Sequence, residues 1–250
     1  MSDLVLSRDR FDAVLFDLDG VLTATAKVHS ACWKRAFDEF LEHRASETGE
    51  SFRPFDASAD YLAYVDGKPR YDGVRSFLAS RGIELPEGES SDPPGFGTVQ
   101  AVGNHKSEMV ARVVAEEGVE VFPTSVDLVR QLRDRGFRLA VVSSSKLCRE
   151  VLESVSIDRF FDVRIDGVVA ERDGLEGKPA PETFLVAARE LGIPAARCVV
   201  VEDAVSGVQA GRAGKFGLVV GVARHGDRSE LARNGADVVV ADLAELSVSG

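Results

Sequence analysis

Two carboxylates separated by one residue, Asp17 and Asp19, follow the apolar run Ala13-Val14-Leu15-Phe16 and precede Gly20. In an extended segment, side chains two apart point to the same side, so both acids address one space. One carboxylate can attack phosphorus and form an aspartyl-phosphate, dividing a hard transfer into two easier ones. The other can exchange a proton with the attacking or leaving oxygen. Gly20 permits the tight turn that frees backbone N–H groups for phosphate. Calcium loops also contain Asp-x-Asp-Gly, but they continue with acids at alternate positions and a Glu at the twelfth. Val21 and Leu22 follow here instead, which disfavours calcium.

Three further groups stand in comparable places. Cys198-Val199-Val200-Val201 runs into Glu202 and Asp203, and Arg138-Leu139-Ala140-Val141-Val142 runs into Ser143-Ser144-Ser145-Lys146. Lys178 lies in a Gly/Pro-flanked loop. Any one acid alone reads as a solvated loop residue. Acids that follow two separate buried strands read as a site, because open parallel sheets bind ligands at the carboxyl ends of their strands. Four carboxylates on one rim would repel each other and resist ionisation. A divalent cation removes that conflict, and oxygen-only donors suit Mg²⁺.

The elements that must position these groups are legible as short apolar runs. Ala13–Phe16, Arg138–Val142, Cys198–Val201, Leu218–Val222 and Val238–Val240 fit strands buried on both faces. Helical patterns lie between them. Ser125 is placed to cap a helix with Val126, Val129 and Leu132 on one face. Pro181 opens another, which runs from Thr183 to Leu191 and stops at Gly192. Such alternation predicts an α/β fold, a doubly wound parallel sheet with right-handed crossovers. Between the first strand and the next lies a helical stretch with no strand alternation, containing Ala31, Phe37, Phe40 and Leu41. Two polar segments within it, Glu42–Pro54 and Pro86–Gly97, read as loops. The expected organisation is an α/β core of 1–26 and 119–250 with an inserted helical domain of 27–118.

Composition narrows the function classes. A 250-residue chain with 44% hydrophobic residues can bury a full core, which excludes disorder as the main state. Its formal charge of −11 argues against nucleic acid, whose phosphates it would repel. No segment has the apolar length of a membrane span or a signal peptide, so a cytoplasmic protein with no membrane partner is expected. Cys32, Cys148 and Cys198 are widely spaced and suggest neither a disulfide framework nor a thiolate metal site.

Taken together, four segments resemble one family. Phe16-Asp17-Leu18-Asp19-Gly20-Val21-Leu22-Thr23, Val142-Ser143-Ser144-Ser145-Lys146, Gly177-Lys178-Pro179-Ala180-Pro181-Glu182 and Val201-Glu202-Asp203-Ala204-Val205-Ser206-Gly207 resemble, in order, the motifs of the haloacid dehalogenase-like superfamily. Thr25, His29 and Trp33, with Gly67-Lys68-Pro69-Arg70, resemble its β-phosphoglucomutase-like branch. The resemblance implies a Rossmann-like core with an inserted helical cap whose closure excludes water. It implies Asp17 as the phosphorylated nucleophile and Asp19 as general acid/base, with Ser143 and Lys178 on the transferring phosphoryl group. Mg²⁺ would be held by Asp17, the Asp19 carbonyl, Glu202 and Asp203. Ser144, Ser145 and Lys146 would hold the distal phosphate with Arg70, Gly67 would reach the sugar phosphate beside Arg70, and Thr25 and His29 would bind substrate. Ala24 and Leu147 depart from the branch's polar residues, so those substrate contacts do not carry over.

The implied activity is a phosphomutase acting on a small sugar phosphate, β-glucose 1-phosphate to glucose 6-phosphate. The alternative is a phosphatase that shares every catalytic residue but releases phosphate to water. A monomer or weak dimer is expected. Lys68 and Lys106 read as solvated surface residues, the Arg130, Arg133, Arg135 and Arg138 series as an exposed helix end, and Cys148 as a helix-packing residue rather than a reactive thiol.

Overall fold

The structure is a computed structural model that describes residues 4–49, 51–224 and 228–249. Its strands are β1 (Leu4–Ser7), β2 (Ala13–Phe16), β3 (Arg138–Val142), β4 (Val163–Ile165), β5 (Cys198–Glu202), β6 (Leu218–Val222), β7 (Val238–Val240) and β8 (Leu246–Ser249). Its α-helices are α1 (Ala26–Thr48), α2 (Arg70–Ser80), α3 (Val99–Glu117), α4 (Pro123–Asp134), α5 (Cys148–Ser154), α6 (Gly167–Asp173), α7 (Glu182–Leu191), α8 (Val205–Ala213) and α9 (Arg228–Arg233). The chain divides into two compact units, Met1–Ala24 with Val119–Gly250, and Thr25–Gly118.

In the first unit six strands form a parallel sheet in the order β4-β3-β2-β5-β6-β7. Residues of β2, β5 and β6 are buried throughout, which is why their sequences carry no polar alternation. Helix α7 shows how the faces are covered. Phe184, Val186, Ala187, Ala188 and Leu191 pack with Leu15, Ala140, Val142 and Val200 of the sheet, and left-handed Gly192 ends the helix. Chain order reverses at β2. The chain moves outward through β3 and β4, then returns to β5 on the other side, so the carboxyl ends of β2 and β5 flank the switch point.

The insertion leaves and returns through a paired neck. Phe122 N–H donates to the Leu22 carbonyl at 3.0 Å and Ala24 N–H to the Glu120 carbonyl at 2.9 Å, with Thr23 bridged antiparallel to Val121. The second unit is helical and has its own aromatic core. Phe37 stacks on Trp33 at 5.0 Å between ring centroids and on Phe55 at 5.1 Å, and lies 4.2 Å from Phe77. Tyr61–Val65 forms a single π-helical turn. No helix among the described residues is long and apolar enough to cross a membrane.

Three expectations need correction. Glu42–Thr48 is the last part of α1 rather than a loop, and the helix ends at left-handed Gly49. That segment is polar because its outer face meets water, with His43 and Glu47 paired one turn apart. Ser125 does not cap α4. The helix begins two residues earlier at Pro123, whose fixed φ suits a first turn, and Ser125 is buried inside it. Strands β1, β4 and β8 lie outside the foreseen set. Among the described residues β1 and β8 pair with each other alone, as a two-stranded parallel sheet.

Candidate active site

The site grows from the carboxyl end of β2. Asp17 N–H continues the ladder by donating to the Val201 carbonyl at 2.9 Å, which fixes its backbone beside β5. The chain then turns tightly: Leu22 N–H and Thr23 N–H both donate to the Leu18 carbonyl, the Thr23 hydroxyl donates there too at 3.1 Å, and Gly20 N–H donates to the Thr23 carbonyl at 2.7 Å. Gly20 has φ +87°, and a Cβ there would lie 1.8 Å from Asp203 Oδ2. A second glycine makes equivalent room, since a Cβ on Gly207 would lie 1.8 Å from Glu202 Oε1. Glycine at these positions is required by the carboxylates themselves.

One carboxylate oxygen each from Asp17, Glu202 and Asp203 lies within 4.8 Å of the others. Lys178 is drawn into the same cluster. Its Nζ donates to Asp17 Oδ1 at 2.5 Å, to Glu202 Oε1 at 2.6 Å and to the Val142 carbonyl at 3.0 Å. An ammonium has three protons, and all three are committed. The second Glu202 oxygen accepts from Ala204 N–H at 2.9 Å, so this carboxylate is held from both sides.

Electrostatics follow from this crowding. Burial pushes the Asp17 carboxyl well above the usual carboxylate range; Lys178 opposes that, and Glu202 and Asp19 add to it. Burial also works against charge on Lys178, but Asp17 and Glu202 outweigh it and hold its pKa above the ordinary lysine value. Lys178 therefore carries the cluster's positive charge, and one cation faces several acids. The donor set consists of hard, anionic oxygens with glycines cleared around them, which fits a divalent cation of the Mg²⁺ or Ca²⁺ type.

The β3 end supplies the serine loop. Ser143 is buried; its N–H donates to the Ile165 carbonyl at 3.0 Å and its Oγ accepts from Ser145 N–H at 3.1 Å. Ser144 packs against α6, where a Cβ on Gly167 would come within 2.7 Å of its carbonyl. Ser145 Oγ accepts from Leu147 N–H at 3.2 Å. Lys146 pairs with Glu171 of α6 at 2.5 Å.

Thr25, His29, Gly67 and Arg70 belong to the helical unit. Thr25 is buried where α1 begins, and its carbonyl accepts from His29 N–H at 2.9 Å. Gly67 turns with φ +67° before α2. The Arg70 guanidinium donates to Ser107 Oγ at 2.5 Å and to Tyr71 Oη at 2.7 Å. Lys106 corrects the sequence reading: it is 5% exposed, not solvated, with Nζ 2.7 Å from His29 Nδ1 and 4.8 Å from the centre of the Trp33 ring. A lone lysine on an amphipathic helix gave no sign of this, because its partners lie about seventy residues away. Lys68 is also half-buried, with Nζ 3.1 Å from Ser76 Oγ. In the arginine series Arg133 and Arg138 share Asp162, and Arg130 meets Asp127, as befits a charged surface.

A family model described as haloacid dehalogenase-like hydrolase matches residues 11–215, most of the chain. The chain belongs to the haloacid dehalogenase-like hydrolase family. A β-phosphoglucomutase of Mycobacterium bovis is 50% identical over 241 residues, covering 95% of this chain and 92% of that one. A second β-phosphoglucomutase, from Bacillus subtilis, is 28% identical over 237 residues and covers 94% and 92% of the two chains. Among solved structures, a β-phosphoglucomutase of Clostridium difficile superposes with a TM-score of 0.74 at 23% identity, covering 95% and 93%, a likeness of fold. This haloacid dehalogenase-like chain shares that fold of parallel sheet and helical insertion.

Two predictions arise here. Gly20→Ala forces a Cβ into the Asp203 carboxylate at a left-handed position, so it should destabilise the protein by at least about 1–2 kcal/mol. It should also weaken divalent-cation binding measured by calorimetry; unchanged unfolding and unchanged binding would refute this account of the glycine. Second, Cys32, Cys148 and Cys198 are all free and buried. Burial pushes the Cys198 thiol up to about 12 and the Cys148 thiol well above its ordinary value. A thiol-disulfide reagent at neutral pH should therefore find no fast-reacting thiol in native protein and three in denaturant.

Proposed function

We propose that this protein interconverts β-glucose 1-phosphate and glucose 6-phosphate through a phosphorylated Asp17. The observation that carries the phosphoryl-transfer chemistry is Lys178 bridging Asp17 and Glu202 beside Asp203 at the switch point of the sheet. The choice of a sugar-phosphate mutase rests on the relative that is 50% identical over nearly the whole chain.

In this reading Asp17 Oδ carries the phosphoryl group. The substrate's 6-hydroxyl attacks phosphorus while Asp19 accepts the hydroxyl proton, giving a bisphosphorylated sugar and free Asp17. With the sugar turned end for end, Asp17 takes the phosphoryl group from carbon 1 and Asp19 returns the proton to the departing oxygen. Lys178 and Ser143 orient the transferring group. Ser144, Ser145, Lys146 and Arg70 hold the distal phosphate, and Thr25, His29 and Gly67 meet the sugar. Asp17, Asp19 through its carbonyl, Glu202 and Asp203 would hold Mg²⁺, which when bound neutralises charge on the transferring oxygens. Such transfer needs positioning and charge more than further covalent chemistry. A fixed lysine on a fixed carboxylate meets that need.

The family's description as hydrolases makes release to water the competing outcome. Purified protein with Mg²⁺, β-glucose 1-phosphate and a trace of bisphosphate primer should form glucose 6-phosphate, with the α-anomer inert and EDTA abolishing turnover. Free phosphate appearing in step with substrate loss, without glucose 6-phosphate, would overturn the mutase and leave the phosphatase. Asp19→Asn should lower kcat roughly 10²- to 10⁴-fold, the range for a lost acid/base group. Burst measurements with an activated acyl phosphate donor should still show Asp17 labelled. Loss of labelling together with turnover would remove Asp19 from that role.

A further inference from the structure

The turn that holds Asp19 is anchored from behind by side chains that the chemistry above does not use. Ser125, fully buried inside α4, donates its hydroxyl proton to the Val21 carbonyl at 2.7 Å. The same Ser125 oxygen accepts from Arg224 Nη2 at 2.8 Å. Arg224 stands just after β6, its guanidinium lies 3.8 Å from the centre of the Phe122 ring, and its Nη1 pairs with Asp242. Asp242 in turn accepts from Ala244 N–H at 2.8 Å within a capping box closed by Glu245. A continuous relay thus runs from Asp242 through Arg224 and Ser125 to Val21, two residues beyond Asp19.

Burial gives this relay its energetic weight. Val21 is fully buried, so its carbonyl depends on donors within the protein, and Ser125 supplies one at 2.7 Å. Ser125 can rotate its single proton to several acceptors. Arg224, which can only donate, occupies a lone pair of that oxygen and leaves the proton to be directed at Val21. Arg224 is itself fixed, by an ion pair on one side and an aromatic face on the other, with its side chain 10% exposed. The Val21–Leu22 peptide is therefore held in one plane, while the Thr23 hydroxyl holds the other end of the turn at Leu18. Both ends of the segment carrying Asp19 and Gly20 are fixed, and Gly20 abuts Asp203.

We propose that Arg224, acting through Ser125 on the Val21 carbonyl, is a positioning residue that sets the register of the Asp19–Gly20 turn for phosphoryl transfer. It rests on the assignment of transfer to Asp17 and Asp19. Neither Arg224 nor Ser125 touches the substrate in this account; they determine where the acid/base carboxyl stands. Misplacement of a reacting group by about 1 Å costs on the order of 10²-fold, and a loosened peptide displaces Asp19 by part of that.

The test is a double-mutant cycle of Ser125→Ala, Arg224→Met and the pair, read by kcat, KM and urea unfolding. Each single variant should lower kcat about tenfold with KM within about twofold, and the double variant should be no slower than the slower single. Losses that multiply in the double variant, or a kcat equal to wild type with only stability changed, would overturn the proposal. Ser125→Ala removes one oxygen and carries the kinetic test alone should Arg224→Met not fold. Turnover is counted whether phosphate passes to sugar or to water. Asp17→Asn runs alongside: if it retains turnover, the assignment of the site fails. If it is dead while both relay variants keep wild-type kcat, only the relay fails.

Discussion

Asp17→Asn should remove turnover by on the order of 10⁴- to 10⁶-fold, the scale on which loss of a covalent nucleophile is felt. The fold should survive. Asn has nearly the shape of Asp, and Lys178 keeps Glu202 and the Val142 carbonyl as acceptors. Burial works against the charge on Asp17, so a neutral amide there relieves desolvation while surrendering one ion pair, and the two changes oppose each other. The decisive measurement is covalent. Wild-type protein incubated with the bisphosphate primer should carry a hydroxylamine-labile phosphate on the peptide containing Asp17, and the variant none. A variant still labelled at one phosphate per chain would place the acceptor elsewhere.

Lys178→Met should cost both activity and stability. The substitution keeps the stem against Phe184, whose ring centre lies 5.0 Å from Nζ, but deletes three donors at once. Asp17 and Glu202 are left facing each other in a buried site, and the Val142 carbonyl loses its side-chain donor. Removing one partner of a buried ion pair typically costs about 3–5 kcal/mol, and that loss is expected in urea unfolding with EDTA present. Asp17 can soften it by holding a proton, since burial already raises its carboxyl, so the loss should be smaller in mild acid than at neutral pH. A divalent cation should recover part of the stability without restoring turnover. Equal stability with and without Lys178 would contradict the geometry of the cluster.

How much of this was legible in the chain depends on how local each signal is. The five central strands carry runs such as Cys198–Val201, buried on both faces, and a buried strand cannot hide its composition. β1 and β8 escaped because Leu246-Ser247-Val248-Ser249 alternates over only four residues, and its partner lies at the opposite end of the chain. β4 has three residues with Arg164 at its centre. Asp17, Glu202 and Asp203 are legible because each ends or follows a buried strand, whereas Lys178 sits in a Gly/Pro-flanked loop and is singled out only by its motif. Serine before an apolar pattern usually caps a helix, but at Ser125 Pro123 takes the first turn and sends the serine inward. Lys106 and Arg224 gave no signal at all. A cation's burial is decided by distant partners, here His29 and Asp242, and composition around it reports nothing of them.

The paired neck at Leu22–Ala24 and Glu120–Phe122 has a consequence for the modularity of the chain. Because the outgoing and returning strands already hydrogen-bond to each other, the ends left by excising 25–118 would start as neighbours. Closing such a gap with a few flexible residues incurs little loop entropy, so the sheet need not depend on what is spliced into it. An architecture of this kind lets the inserted segment be exchanged, lengthened or redesigned for new chemistry while the carboxylates at the strand ends are left in register.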